Sequence, residues 1–164
     1  MSLSGWTIET PEAPFSVVQD RDVVVASGFC GLDELVERLS EGSGAVERVV
    51  PTGTVVAAVR AYVGGDSAAL DEVEVRQPGG EFQQEVWRVM REIPGGETWS
   101  YAELATKAGR PTASRAAGTA CARNLVAPFV PCHRVVRSDG SLGGYAFGLD
   151  VKRWLLSLEV DSAG

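Results

Sequence analysis

The chain has 164 residues, 45% of them hydrophobic, and a net charge of −7, enough for an ordinary core in one domain or two small packed ones. It contains no run of about 18 apolar residues, and residues 1–10 lack the pattern of a secretory signal, so we expect no membrane partner. Three cysteines without CxxC spacing and a single histidine argue against a disulfide framework or a metal site and favour a reduced, cytoplasmic protein.

The first half of the chain has the pattern of a small α/β unit. Phe15–Val18 and Val23–Ser27 are β-branched runs on either side of Gln19–Asp22, which predicts a hairpin. A helix is predicted next from apolar residues at helical spacing, namely Leu32, Leu35, Val36 and Leu39. Thr54–Val63 is predicted as a second helix, closed by Gly64–Gly65.

The end of this unit carries weaker signals. Val73 and Val75 alternate with acidic residues and predict one further strand. Pro78 and two glycines in Arg76–Gly80 indicate a linker. Cys30 is interpreted as a small buried residue. The predicted domains are therefore residues 1–77 and residues 81–160.

The second half begins with an amphipathic helix. Its apolar residues recur at three and four positions, as Phe82, Val86, Val89, Met90 and Ile93. Pro94–Gly96 ends the helix, and Trp87 lies near the apolar stripe as a core residue.

Two short helices follow. Ser100 and Glu103 have the spacing of a capping box, in which each side chain satisfies the other residue's backbone amide, and this helix should end near Gly109. Pro111 is expected to open the next helix, over Thr112–Arg123. The tight turn between the two predicts a helix-turn-helix.

The second of these helices has few large side chains. Its small residues are Ala113, Ala116, Ala117, Gly118 and Ala120. Such a helix either packs closely on another protein element or enters a narrow nucleic-acid groove. Arg115 and Arg123 favour the groove, because one of them must face outward.

The charge is distributed unevenly. Residues 1–87 carry five Lys and Arg against fifteen Asp and Glu, whereas residues 88–164 carry ten against seven. Between residues 100 and 137 Glu103 is the only acid, and the basic residues are Lys107, Arg110, Arg115, Arg123, Arg134 and Arg137. This patch fits phosphate binding, because salt screens the distant acidic charge beyond about 10 Å. An ordinary solvated charge pattern fits it as well.

The segment that could carry out a reaction is residues 124–136, where Pro131 precedes Cys132 and His133 follows. An imidazole can take a proton from a thiol and so make the sulfur a nucleophile. Adjacent Cys and His also occur by chance. A cysteine hydrolase is a poor fit, since those enzymes bring the histidine from elsewhere and this chain has no other.

The chain ends in a further predicted helix. Its apolar pattern is Trp154, Leu155, Leu156 and Leu158, preceded by Lys152, and it should end near Glu159. From there Glu159 can orient His133 as the third member of a Cys–His–acid relay, or be a solvated glutamate at a helix end.

These residues resemble the alkylguanine-DNA alkyltransferases, also called methylated-DNA–protein-cysteine methyltransferases, in their stand-alone form. The shared motifs, in the same order and spacing, are GETWSYAELA (96–105), RAAGTA (115–120), Asn124, PCHRVV (131–136), GGY (143–145) and KRWLLSLE (152–159). The resemblance covers residues 82–159. It implies an α+β fold, in which a small N-terminal α/β domain with a short sheet packs on a mostly helical C-terminal domain that contains the helix-turn-helix and the active-site cysteine.

The resemblance also implies an activity. Cys132 would accept an alkyl group from 6-O-alkylguanine, or 4-O-alkylthymine, irreversibly and once per molecule. His133 would deprotonate it through a water, and Glu159 would hold His133. Asn124 would tie the recognition helix to the active-site turn. Tyr101 would donate to a ring nitrogen of the departing guanine and, by crowding a phosphate, help the nucleotide rotate outward.

The remaining implied roles concern DNA and the base. Arg115 would fill the vacated base stack, and Ala116 and Gly118 would sit in the minor groove. Arg123 and Ser138 are further expected DNA contacts. The expected pocket residues are Cys132, Val135, Tyr145 and Ala146. The implied partner is double-stranded DNA carrying alkylated guanine, bound by a monomer, and no metal or cofactor is implied.

Three other classes remain as alternatives. A relative that binds alkylated guanine without chemistry would lack the acceptor, and Cys132 is present. A helix-turn-helix regulator reads the major groove with polar side chains, where this helix offers alanine and glycine. An unrelated cysteine hydrolase is the third.

Overall fold

The computed structural model describes residues 2–39 and 45–163. The strands are β1 (Leu3–Glu9), β2 (Pro14–Asp20), β3 (Val23–Gly28), β4 (Val46–Arg48), β5 (Trp99–Ser100) and β6 (Val135–Val136). The α-helices are α1 (Leu32–Glu37), α2 (Thr54–Val63), α3 (Glu81–Met90), α4 (Tyr101–Lys107), α5 (Ser114–Ala122) and α6 (Leu149–Ala163). A 3₁₀ helix spans Cys132–Arg134. This mixed content confirms the predicted α+β class.

The N-terminal half is built on a four-stranded sheet. Its strand order is β3-β2-β1-β4, with β1, β2 and β3 antiparallel and β4 parallel to β1. The predicted hairpin of β2 and β3 is confirmed. Strand β1, in which Trp6 and Ile8 face the core, was not predicted from the sequence.

Two helices follow the hairpin as predicted. Helix α2 has the predicted bounds, and its buried face is Val55, Val56, Val59 and Tyr62. Helix α1 ends at Glu37, so Leu39 lies just beyond it. The strand predicted at Val73 and Val75 is wrong. Val75 makes only one isolated bridge, to Val24, because the backbone touches the sheet edge and then leaves it.

The predicted helices of the second half are present with corrected ends. The capping box at the start of α4 is confirmed in both directions, with Ser100 and Glu103 exchanging bonds of 3.0 and 3.1 Å. Helix α5 starts at Ser114 rather than near Pro111, because the Ala113 amide donates back to the Arg110 carbonyl and closes a turn first. Helix α6 continues past Glu159 to Ala163.

A smaller apolar cluster lies within the N-terminal half, and the main apolar core joins the two halves. It includes Trp6 and Phe15 of the sheet, Val59 of α2, Met90 of α3 and Leu155 of α6. The division at residues 77 and 81 therefore stays a prediction. Within the described residues no helix combines the length and apolar character that crossing a membrane requires.

Candidate active site

A short parallel sheet brings two distant motifs together. Strand β5 pairs with β6 so that Trp99 lies opposite Val135 and Ser100 opposite Val136. The first residue of α4, Tyr101, thereby starts beside the turn that carries Cys132. This pairing also gives Trp99 a structural place, where its ring lies 4.8 Å from the Lys107 ammonium.

Tyr101 occupies a gap between two glycines. A Cβ at Gly143 would meet the tyrosine hydroxyl at 3.0 Å, and Gly143 has a positive φ of 73°. A Cβ at Gly118 would lie 3.8 Å from the ring. Small residues on α5 and on the loop after β6 therefore leave room for this side chain.

A cavity of about 320 Å³ opens beside Tyr101. Its lining is Tyr101, Gly118, Cys121, Ala122, Asn124, Ala127, Cys132, Gly144, Tyr145, Ala146 and Phe147. Cys132 lines this space and is only 9% exposed. Ligand cavities are usually about 300–1,000 Å³, so this one has room for a single small group.

The residue after the cysteine takes part in a buried hydrogen bond. The His133 Nε2 atom lies 2.8 Å from Glu159 Oε2, and both side chains are fully buried. Because a carboxylate accepts, Nε2 carries the proton and Nδ1 holds the lone pair. Nδ1 has no hydrogen-bond partner within the described part of the chain. The pair thus leaves a basic nitrogen available near Cys132.

Glu159 has two further donors that the sequence analysis did not foresee. Arg134 donates to both carboxylate oxygens, at 3.0 and 2.7 Å, and the Tyr62 hydroxyl donates to Oε2 at 2.7 Å. Burial alone would raise the pKa of Glu159, but the bonds and charges of His133 and Arg134 lower it to about 2. Glu159 is therefore ionised, and Arg134 is not part of the surface patch where the sequence analysis placed it.

The resting cysteine is a thiol. Burial raises the pKa of Cys132, although hydrogen bonding with Asn124 and the charge of Lys152 oppose the rise. Burial likewise lowers the pKa of His133, against the pull of Glu159. The thiol of Cys132 and the imidazole of His133 are therefore both neutral at rest, and a proton must move when the sulfur reacts.

Asn124 connects α5 to the segment before the cysteine. Its amide nitrogen donates to the Val130 carbonyl at 2.8 Å, and its oxygen accepts from Gln77 at 3.0 Å and from the Val126 amide at 3.2 Å. Gln77 also accepts from the Leu125 amide at 2.8 Å. The predicted linker thus contributes a buried side chain that braces the active-site turn.

Lys152 fixes the opposite wall of the cavity. Its buried ammonium donates to the carbonyls of Val135, Leu142 and Gly144. Val135 was predicted to line the pocket, but it is not among the residues that line this cavity, and its carbonyl accepts from Lys152 at 2.9 Å. Tyr145 and Ala146 do line the cavity, as predicted.

The residues predicted to meet DNA lie mostly on the surface. Arg115, Ala116, Arg123 and Ser138 are exposed, whereas Ala117 and Ala120 of the same helix are buried. Gly118 faces the cavity. Helix α5 therefore packs through two alanines and keeps an outer face of small and basic residues.

Several contributors were missed because no local pattern marks them. Tyr62 and Gln77 lie 97 and 47 positions from their partners Glu159 and Asn124. Cys121 and Phe147 line the cavity. The only sequence signal for them is that Cys121 follows the RAAGTA motif and Phe147 lies just after GGY. In the described ranges, no three His, Cys, Asp or Glu side chains group as metal ligands.

Comparisons with known proteins bear on this geometry. Residues 81–160 match the family model described as 6-O-methylguanine DNA methyltransferase, DNA binding domain. A methylated-DNA–protein-cysteine methyltransferase of Methanosarcina acetivorans is 50% identical over 101 residues, which make up 62% of this chain and 64% of that protein. The match thus spans just under two thirds of that relative's length.

Solved structures extend the likeness over the whole fold. The crystal structure of Mycobacterium tuberculosis O6-methylguanine methyltransferase matches with a TM-score of 0.82 and 31% identity, covering 99% of this chain and 95% of that one. The structure of Mycobacterium tuberculosis OGT in complex with DNA has a TM-score of 0.80 and 33% identity, covering 97% and 94%. From motifs, fold and these similarities together, the chain belongs to the methylated-DNA–protein-cysteine methyltransferase family.

Proposed function

We propose that this protein repairs DNA by transferring the alkyl group of 6-O-alkylguanine to Cys132, once per molecule. The observation that supports this most directly is the arrangement at the cavity. Cys132 lines it, and the next residue, His133, is hydrogen bonded to Glu159 in the buried interior. The relatives named for this activity support it as well.

The substrate base must leave the duplex to reach the sulfur, which costs a few kcal/mol. We propose that Arg115 fills the space left in the base stack and that α5 enters the minor groove at Ala116, on its outer face, and at Gly118, which borders the cavity. Arg123 and Ser138 would contact the backbone. The phosphate contacts of the Arg123 cation and the Ser138 hydroxyl offset the cost of unstacking.

The transfer itself is a displacement at carbon. The Cys132 proton passes to His133 Nδ1 through a bridging water, and Glu159 stabilises the imidazolium. The sulfur then attacks the alkyl carbon, the carbon–oxygen bond breaks, and its electron pair goes to the guanine. Tyr101 donates a proton to a guanine ring nitrogen, which makes the base a better leaving group, and regains one from the relay.

The products are guanine and a thioether at Cys132. A thioether sulfur is a poor leaving group, so the alkyl group stays on Cys132 and the reaction ends after one turnover. A 4-O-alkylthymine presents the same carbon–oxygen bond and is the second proposed substrate. The need for a free thiol fits the reducing conditions of a cytoplasm.

The test is the mass of the intact protein after incubation with a duplex that carries one 6-O-methylguanine. We expect every molecule to gain the mass of one CH2 group, because a methyl replaces the thiol proton. Cys132→Ala should gain nothing, while Cys30→Ala, which changes a buried thiol outside the cavity, should react like the wild type.

Peptide mapping makes this test specific, because Cys121 lines the same cavity. Methyl found on Cys121 would show that Cys132 is not the acceptor. Tight binding of the modified duplex without any gain in mass would instead indicate a recognition protein.

A second expectation concerns Arg115. Arg115→Ala should slow repair of the duplex about tenfold, or ~1.4 kcal/mol, and leave transfer from free 6-O-methylguanine base unchanged, because the arginine acts only on the stack. Arg60→Ala, an exposed arginine on α2, is the control. Equal losses with duplex and free base would remove the proposed role in base rotation.

A further inference from the structure

The catalytic carboxylate has a partner in the N-terminal half. Tyr62 lies on the buried face of α2, outside residues 81–160 that the family model matches. Its hydroxyl donates to Glu159 Oε2 at 2.7 Å, and neither side chain is more than 2% exposed. The contact spans 97 positions of sequence.

The same oxygen accepts from three donors. Besides Tyr62, Glu159 Oε2 lies 2.8 Å from His133 Nε2 and 2.7 Å from an Arg134 nitrogen. Oε1 accepts only from Arg134 among the described residues, at 3.0 Å. Hydrogen bonds to a buried carboxylate disperse its negative charge. Each donor therefore weakens the attraction between the carboxylate and the other two donors.

We propose that Tyr62 is a positioning residue of the transfer reaction, which aims Glu159 at His133 and limits how strongly that carboxylate holds the imidazole proton. This inference rests on the proposed function, since it assigns Tyr62 to the relay behind Cys132. It makes the N-terminal half a contributor to the chemistry rather than a support for the fold alone.

The direction of the effect follows from the charges. Without the Tyr62 hydroxyl, more of the Glu159 charge acts on His133, which stabilises the imidazolium and raises the pKa of His133. The base would then be protonated, and unable to accept from Cys132, at a higher pH than in the wild type.

Other groups around the relay set the background. Arg134 pairs with Glu159, and Lys152 lies close enough to lower the pKa of His133. Asp71 acts on Arg134, and Tyr145 lies on the cavity side together with Cys132. These groups stay in place when Tyr62 loses only its oxygen. A change in the pKa of His133 is then due to the loss of the hydroxyl.

The test is Tyr62→Phe, which keeps the ring and removes the donor. The chain has one histidine, so the imidazole nitrogen signals in an NMR titration belong to His133 alone. We expect the midpoint of His133 protonation, and the acid limb of the methyl-transfer rate on a 6-O-methylguanine duplex, to rise together by about 1 pH unit, a tenfold change in the equilibrium.

Val59→Ala is the matched control, because Val59 is buried on the same helix and has no polar side-chain atom that could donate to Glu159. It should lower stability and leave both pH profiles unchanged. The proposal is overturned if Tyr62→Phe titrates like the wild type, if His133 stays neutral in both over the folded range, or if the variant only loses stability as Val59→Ala does. Failure of the wild type to transfer methyl would contradict the proposed function instead, while the NMR titration would still decide the role of Tyr62.

Discussion

Glu159→Gln is expected to lower the free energy of unfolding by about 3–5 kcal/mol, because breaking a buried ion pair leaves the other charge uncompensated. Arg134 is the charge left behind, with its side chain 5% exposed. An amide can still accept one hydrogen bond, but it does not neutralise the guanidinium. Alkyl transfer should slow as well, since the imidazolium formed at His133 loses its counter-ion.

The same pair predicts how stability depends on pH. The pKa of Glu159 is lowered from 4.5 to about 2 in the fold. Its contribution is therefore complete above pH 4.5 and is lost as the pH falls toward 2. Burial also lowers the pKa of His133 below 6.5, so the unfolded chain takes up that proton first and stability begins to fall below pH 6.5.

Denaturant unfolding at several pH values measures both effects. Glu85→Gln is the control, because Glu85 pairs with Arg88 on an exposed helix face and its loss should leave stability nearly unchanged. Glu159→Gln should remove the loss of stability that protonation of Glu159 causes in the wild type at acid pH. A variant as stable as Glu85→Gln, with the wild-type pH curve, would mean that the pair does not hold the fold together.

Local sequence signals predicted local structure well. The bounds of α2 and the capping box at Ser100 follow from patterns that act within one helix turn, through side-chain spacing and backbone amides. The strand predicted at Val73 and Val75 is wrong because the signal was local. Alternation of apolar and polar residues does not show whether a neighbouring strand is present to pair with. The predicted start of α5 is wrong because the turn at Arg110–Ala113 competes with the helix for the same backbone groups.

The motifs predicted the residues of the candidate site and two of its supports, Glu159 and Asn124, but other buried supports were not predicted. Cys132, His133 and Tyr101 were found because they lie in short shared segments. Arg134 was taken for a surface cation, since charge counting cannot show that it turns inward to Glu159. Gln77 lay in what looked like a linker, and its buried bonds depend on contacts 47 positions away.

Lys152 is the support with the second large expected effect. Lys152→Met should slow alkyl transfer about 100-fold, because a shift of about 1 Å in a reacting group can cost that much. The buried ammonium holds three carbonyls that shape the wall from Val135 to Gly144, and its charge lowers the pKa of Cys132. Methionine fills the space but donates nothing.

The substrate used separates this role from DNA binding. Lys152→Met should lose the same factor on a 6-O-methylguanine duplex and on the free base, because Lys152 acts on the cavity and the thiol, whereas Arg115→Ala should affect the duplex alone. Arg153→Met is the control, since Arg153 is exposed and pairs only with exposed Asp150 among the described residues. If Lys152→Met transferred methyl at the wild-type rate, neither the wall nor the thiol would depend on this ammonium, and the cavity would have to be held by its backbone alone.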